Sequence, residues 1–354
     1  MDYSNQLKKL LDRTIDEKAS DLLISVNCYP AIRITGKLVP LTDEKRITKE
    51  DAKGLAFSLL EEDKKDKFLK EKEIDFSYDL GNKARFRVNI YFQRGSISLA
   101  LRAISPNIKT IEELSLPAVL HEFTKKTQGL VLVTGASGQG KSTTLASLVD
   151  EINHTRAVHI ITIEDPIEYL YEPDKAIIDQ REVSFDTDSF STALRASFRQ
   201  NPDIIMVGEM RDLETIATTI TAAETGHLVF ATLHTNSAAQ SIHRIIDVFP
   251  AEQQNQIRFQ LAASLIGAVS QRLIPKINGG FAPAVEVMIA NTAVSNLIRE
   301  NKTHEIPVVI ETSMKEGMIS FNRSLSDLVL KKEISLKDAM DYSLNPSELK
   351  NLLR

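Results

Sequence analysis

The chain of 354 residues has no tryptophan and a single cysteine, Cys28. One cysteine excludes an intramolecular disulfide and any zinc site built on several thiolates. A run of about 18 apolar residues is also missing, so no membrane-spanning helix is predicted. The opening 21 residues mix acids and bases along an amphipathic helical pattern, which does not suit a secretory signal. A cytosolic protein is the expectation. Concentrated positive charge is absent too: the net charge is −5, and the lysines of Glu61–Glu73 are interleaved with acids at helical spacing. That pattern describes a solvated helix face with local ion pairs, whereas a duplex-DNA binder gathers its basic residues on one face. No nucleic-acid partner is expected.

What is present suggests two domains with real cores, given the length and a hydrophobic share of 42%. Residues 1–104 read as a small α+β unit. Leu7, Leu10, Leu11 and Ile15 recur at helical spacing, short strands follow within 21–26 and 30–41, and a second helix starts near Thr48. The alternating runs 74–80, 84–93 and 96–104 are separated by the turn pairs Gly81-Asn82 and Arg94-Gly95, which predicts an antiparallel meander. Residues 105–128, with Pro106 and Pro117, read as a linker and a first helix. From 129 to 290 near-continuous apolar runs alternate with helical stretches, the mark of a parallel sheet buried on both faces. Residues 291–354 read as helical.

Gly135-x-x-x-x-Gly140-Lys141-Ser142 follows one apolar run and opens a helical stretch. In that setting the backbone N–H groups of Ser137, Gly138, Gln139, Gly140, Lys141, Ser142 and Thr143 can converge on phosphate oxygens, aided by the helix dipole. Lys141 is placed to reach the β- and γ-phosphates of ATP, and the Ser142 hydroxyl to bind Mg²⁺. The cradle uses main-chain amides, so the side chains of Ala136 and Gln139 are expected to point away, with Gly138 and Gly140 supplying unusual torsions.

Further along, three apolar strands end in candidate chemistry. Glu164 closes one of them, where a carboxylate fits a general base for an attacking water, or equally a cap or ion pair. Glu209 closes the second and suits the Mg²⁺ shell. His227 and His234 flank the third; seven residues apart, they fall on opposite pleat faces and do not share a metal. His234, at the strand's C-terminal end, fits a phosphate sensor or a structural histidine. In the small domain Arg85 and Arg87 share a polar face, with Arg94 in a turn and Arg102 on the next strand. The cluster fits arginine fingers for a transferring phosphoryl group, or a charged face that discourages aggregation.

Taken together and in order, these segments resemble the secretion and pilus ATPase superfamily, and most closely the PilT-type retraction ATPases of bacterial type IV pili. The resemblance runs over nearly the whole chain and includes 19–26, 85–95, the glycine-rich loop 135–142, 162–169, 198–216, 223–238, 246–250, 296–306 and 317–325. It implies a RecA-like P-loop ATPase core with an N-terminal PAS-like domain and a helical C-terminal region. It also implies a homo-hexamer at the inner face of the plasma membrane, acting with a platform protein of the pilus machine and with a second retraction ATPase. By the same resemblance Glu164 is the catalytic glutamate, Glu209 the Mg²⁺-associated acid, and Arg87, Arg94 and Arg102 line a nucleotide site.

Three places depart from the family's usual pattern. Ala136, Ser137 and Gln139 stand where the loop usually has Pro, Thr and Ser; Gln200-Asn201 replaces Glu-Asp; and Ser295 replaces an arginine carried by retraction motors. The resulting expectation is an ATP-hydrolysing retraction motor. The alternatives are an accessory, PilU-like nucleotide-dependent module, and an assembly or type II secretion ATPase. Those assembly enzymes usually carry a four-cysteine insertion, for which this chain lacks the cysteines.

Overall fold

Alternation of apolar and polar side chains shapes the first part of the chain, and continuous apolar runs shape the second. The computed structural model describes residues 2–34, 36–104 and 107–354. It divides into two compact units, one of residues up to Asn107 with Pro166–Leu170, the other of Ile108–Asp165 with Tyr171–Arg354.

In the first unit, helix α1 (Tyr3–Asp16) buries Leu7, Leu10 and Leu11 on one stripe. Strands β1 (Asp21–Ile24), β2 (Ala31–Ile34) and β3 (Lys37–Pro40) follow, then helices α2 (Lys49–Phe57) and α3 (Glu62–Glu71). Thr48 starts α2 through a reciprocal cap with Asp51: each side chain accepts from the other's backbone N–H, at 3.1 and 3.0 Å. Strands β4 (Glu73–Asp79), β5 (Arg85–Gln93) and β6 (Ser96–Ile104) complete an antiparallel sheet of order β3-β2-β1-β6-β5-β4. The meander read from 74–104 is therefore present. Arg94 and Gly95 both take positive φ, 47° and 71°, as a two-residue hairpin turn requires. Phe86, Val88 and Ile90 point into the core with no exposure, while Arg85, Arg87 and Asn89 alternate outward.

The second unit starts before its sheet. Ile111, Leu116, Leu120 and Phe123 are buried, so 108–128 packs as part of this unit and is not a free linker. Its short helix α4 (His121–Thr124) precedes β7 (Gly129–Thr134) and α5 (Lys141–Thr155). Then come β8 (His159–Glu164), β9 (Ile177–Glu182), α6 (Phe190–Ser197), β10 (Ile204–Val207), α7 (Leu213–Glu224) and β11 (Leu228–Leu233). Helices α8 (Ala238–Asp247) and α9 (Ala251–Ser264) lead to a long hairpin, β12 (Leu265–Pro275) and β13 (Phe281–Ile289). The order is β13-β12-β7-β11-β10-β8-β9, parallel except for the edge strand β13. Every residue of β7, β10 and β11 is buried, as the apolar runs imply. Each such Val, Leu, Ile or Phe contributes about 1.5–3 kcal/mol of transfer free energy.

Past β13 the chain is helical, as read: α10 (Thr292–Arg299), α11 (Ile306–Thr312), α12 (Phe321–Leu330), α13 (Leu336–Tyr342) and α14 (Pro346–Leu352). Phe321, Leu325 and Leu328 of α12 pack on Ile274, Ala282 and Ala284 of the hairpin. Among the described residues no helix is long and apolar enough to cross a membrane.

His121 ties the entry segment to α5. Its Nδ1 lies 2.9 Å from Glu151 Oε2 and its Nε2 2.8 Å from Glu112 Oε1. The bond to Glu151 outweighs burial and raises the His121 pKa above its ordinary 6.5. A raised folded-state pKa stabilises fully below the unfolded value, and the gain is lost as pH rises through the folded one. The stability difference between wild type and His121→Gln in urea is therefore expected to be larger at about pH 6 than at about pH 9. Parallel pH profiles would contradict the bridge.

Candidate functional site

Strand β7 runs into Gly135, and the loop from there to Gly140 feeds directly into α5. Gly135, Gly138 and Gly140 have φ of 148°, 76° and 82°. Ala136, Ser137 and Gly138 are exposed, so the loop's outer rim is open to solvent. Gly140 is the N-cap of α5 and brings no side chain to it. First-turn amides of a helix have no carbonyl partner within it, and they carry the positive end of the dipole. Lys141 is buried, and its Nζ donates to Gly135 O at 2.9 Å and to Ala136 O at 3.0 Å. The ammonium thus lies over the loop's own carbonyls, where phosphate oxygens would compete for it.

The loop is also held from β12, which the sequence reading did not identify as a strand. Gln139 does not point away as expected: its Oε1 accepts from Leu273 N at 2.6 Å. Its carbonyl accepts from Gln271 Nε2 at 2.7 Å, and Gln271 Oε1 accepts from Thr144 Oγ1 at 2.7 Å. Main-chain amides are what phosphate meets, whereas these side chains brace the loop. Gln271 and Thr144 were missed because only tertiary pairing brings them to the loop. The apolar run 265–269 and the Gly279-Gly280 turn are the signal that would have revealed the hairpin.

Parallel register brings the remaining candidates to the same end of the sheet. Thr134 pairs with Leu233, Ala231 with Val207, and Val207 with Ile163. His234, Glu209 and Glu164 therefore leave the C-terminal ends of β11, β10 and β8, the next three strands after β7. Ligands collect at this edge in open α/β sheets. Glu164 is 7% exposed, and its Oε1 accepts from Thr162 Oγ1 at 2.6 Å and Gln180 Nε2 at 3.1 Å, which fixes the carboxylate's orientation.

Glu209 Oε1 lies 2.7 Å from Arg211 Nε and 3.2 Å from His234 Nε2. Burial alone would raise the Glu209 pKa, but Arg211 and His234 outweigh it and hold the carboxylate below its ordinary 4.5. Glu209 is thus ionised at neutral pH. His227 is structural: its Nδ1 donates to Ala222 O at 3.0 Å and its ring meets Phe198 edge-on.

The arginines lie on the first unit's sheet. Register places Arg33, Asp21, Arg102 and Arg87 in one row across four strands. Asp21 neutralises part of it, bonding Arg102 Nε at 3.0 Å and Arg33 Nε at 3.3 Å. Arg94 is exposed at the hairpin turn.

A parallel α/β sheet with a glycine-rich loop on its first core strand, and acids at neighbouring strand ends, defines the class of P-loop nucleotide-binding proteins. Comparison narrows this further. Residues 69–318 match the family model described as type II/IV secretion system protein, and the chain belongs to that family. It is 43% identical to the type IV pilus retractation ATPase PilT of Pseudomonas aeruginosa, over 96% of this chain and 98% of that one. It is 36% identical to the type IV pilus ATPase PilU of the same organism, over 99% and 91%. The crystal structure of the pilus retraction motor PilT with bound ADP superposes with a TM-score of 0.91, at 46% identity, covering 97% of this chain and 98% of that one.

Space around the loop glycines makes a contrast testable. A Cβ on Gly135 would lie 2.5 Å from the backbone oxygen of Gln271, whereas one on Gly138 would meet nothing within 4 Å. Gly138→Ala is expected to cost about 1–2 kcal/mol from its torsion alone, and Gly135→Ala clearly more, by chemical denaturation. Equal costs would contradict the close approach of β12.

Proposed function

We propose that the chain is an Mg-ATP-hydrolysing motor that powers type IV pilus retraction. The observation that carries this is the phosphate loop, with Lys141 seated on Gly135 O and Ala136 O, at the same sheet edge as two acids on neighbouring strand ends. Full-length similarity to a protein named as a pilus retraction ATPase supports the motor role.

In this reading the loop amides and the first turn of α5 bind the β- and γ-phosphates, and Lys141 exchanges its carbonyl partners for phosphate oxygens. Glu164, oriented by Thr162 and Gln180, takes the proton from a water attacking in line. His234 touches Glu209 and reads the γ-phosphate side of the site. Ser142 and Glu209 offer a hydroxyl and an ionised carboxylate, oxygen donors of the kind Mg²⁺ takes. Bound there, Mg²⁺ would neutralise charge on the β- and γ-phosphates. Arg87, Arg94 and Arg102 serve as arginine fingers for a neighbouring subunit's site in a homo-hexamer. The ring works at the inner face of the plasma membrane against a platform protein.

Purified protein should turn over ATP only with Mg²⁺, and Lys141→Ala should reduce turnover to background. Glu164→Gln should still bind ADP while turnover falls about 10²–10⁴-fold. Unchanged turnover in either variant would remove these roles.

One observation favours a second reading, an accessory module with little turnover of its own. Ser295, half-buried on α10, stands where retraction motors carry arginine. Gene deletion in the source cell separates the readings. Excess, non-retracting pili restored to normal by this chain alone support the motor, and restoration only alongside a second ATPase supports the accessory.

A further inference from the structure

Two carboxamides, Gln139 in the phosphate loop and Gln271 on β12, tie the loop to that strand. Gln271 is 4% exposed and Thr144 1%, so their contact is shielded from water. The partners fix the orientation of the Gln271 amide: Gln139 O can only accept, so Nε2 faces it, and Oε1 takes the Thr144 hydroxyl. Gln139 returns the contact through Oε1, which accepts from Leu273 N. Strand β12 thereby holds the loop at Gln139 by main chain and side chain, and holds α5 at Thr144. Gly135 and Gly140 complete the fit, since a Cβ would lie 2.5 Å from Gln271 O at the first and 2.8 Å from Gln271 Nε2 at the second.

We propose that Gln271 and Gln139 are positioning residues that hold the Ser137–Thr143 amides in their phosphate-binding shape before nucleotide arrives. The inference rests on the reading of this loop as the nucleotide site. Three glycines with positive φ give the loop many alternative conformations, and ordering it on binding would cost affinity. Ties from β12 remove that cost without touching the ligand. Neither residue meets the reacting atoms, so their loss should act on affinity more than on the chemical step.

The test is calorimetric titration of ADP, with Mg²⁺, into the full chain and its Gln139→Ala and Gln271→Leu variants. Each lost tie should raise the Kd for ADP about three- to ten-fold. The KM for ATP should rise in parallel, with a smaller fall in kcat. A Kd equal to wild type, with only the melting temperature lowered, would reduce both residues to structural support and overturn the proposal.

Because Gln271→Leu empties a buried polar contact, Gln271→Glu provides a near-isosteric check. Its carboxylate would face Gln139 O, and protonation would restore a donor there. The affinity deficit relative to wild type should therefore be smaller at about pH 6 than at about pH 8. A deficit independent of pH would count against the assigned contact. Wild-type protein that fails to bind ADP would refute the nucleotide site itself, an outcome distinct from variants that bind as well as wild type.

Discussion

Strands β7, β11, β10 and β8 are paired in parallel, with Thr134 opposite Leu233 and Val207 opposite Ala231 and Ile163, so that their C-terminal ends share one edge of the sheet. Everything proposed for this protein depends on that register. Slipping one strand by a residue would send each of its side chains to the opposite face of the sheet, into packing shaped for another, and move its terminal acid or histidine away from the loop. The apolar side chains of β7, β10 and β11 resist such a slip because both faces of the sheet are covered. Core packing and site assembly are therefore one constraint: burial fixes the register, and the register delivers Glu164, Glu209 and His234 to the edge where the loop opens.

Electrostatics then sets the states of the groups that register delivers. Glu209 is only partly buried, and Arg211 and His234 keep it charged. Lys141 is buried against two carbonyl oxygens, that of buried Gly135 and that of Ala136 on the exposed loop rim. The loop is tied to the rest of the fold by side chains as well. Gln271 and Leu273 reach it from β12, and the neighbouring Arg272 turns the other way, donating to Tyr342 O at 3.2 Å and stacking over Phe321. One strand thus touches the phosphate loop on one side and the C-terminal helices on the other.

Much of this was legible in the sequence for local reasons. The loop carries its glycines, Lys141 and Ser142 within eight positions, and apolar runs announced β7, β8, β10 and β11. Helix α2 was read from near Thr48, and the β5–β6 turn from Arg94-Gly95. What was not legible depends on contacts distant in sequence. Gln271 meets Gln139 across more than a hundred residues, and Asp21 meets Arg102 only because β1 and β6 are neighbours. Gln139 was misread for the same reason: a phosphate cradle is a property of backbone, whereas its bracing is a property of tertiary structure.

The most direct measurement is an experimental structure of the full chain with ADP and Mg²⁺ bound. The account predicts phosphate against the amides of Ser137–Thr143, Lys141 released from Gly135 O and Ala136 O, and Gln271 still bonded to Gln139 O and Thr144. Nucleotide bound elsewhere, or a phosphate-occupied loop with Lys141 still on its carbonyls, would contradict it.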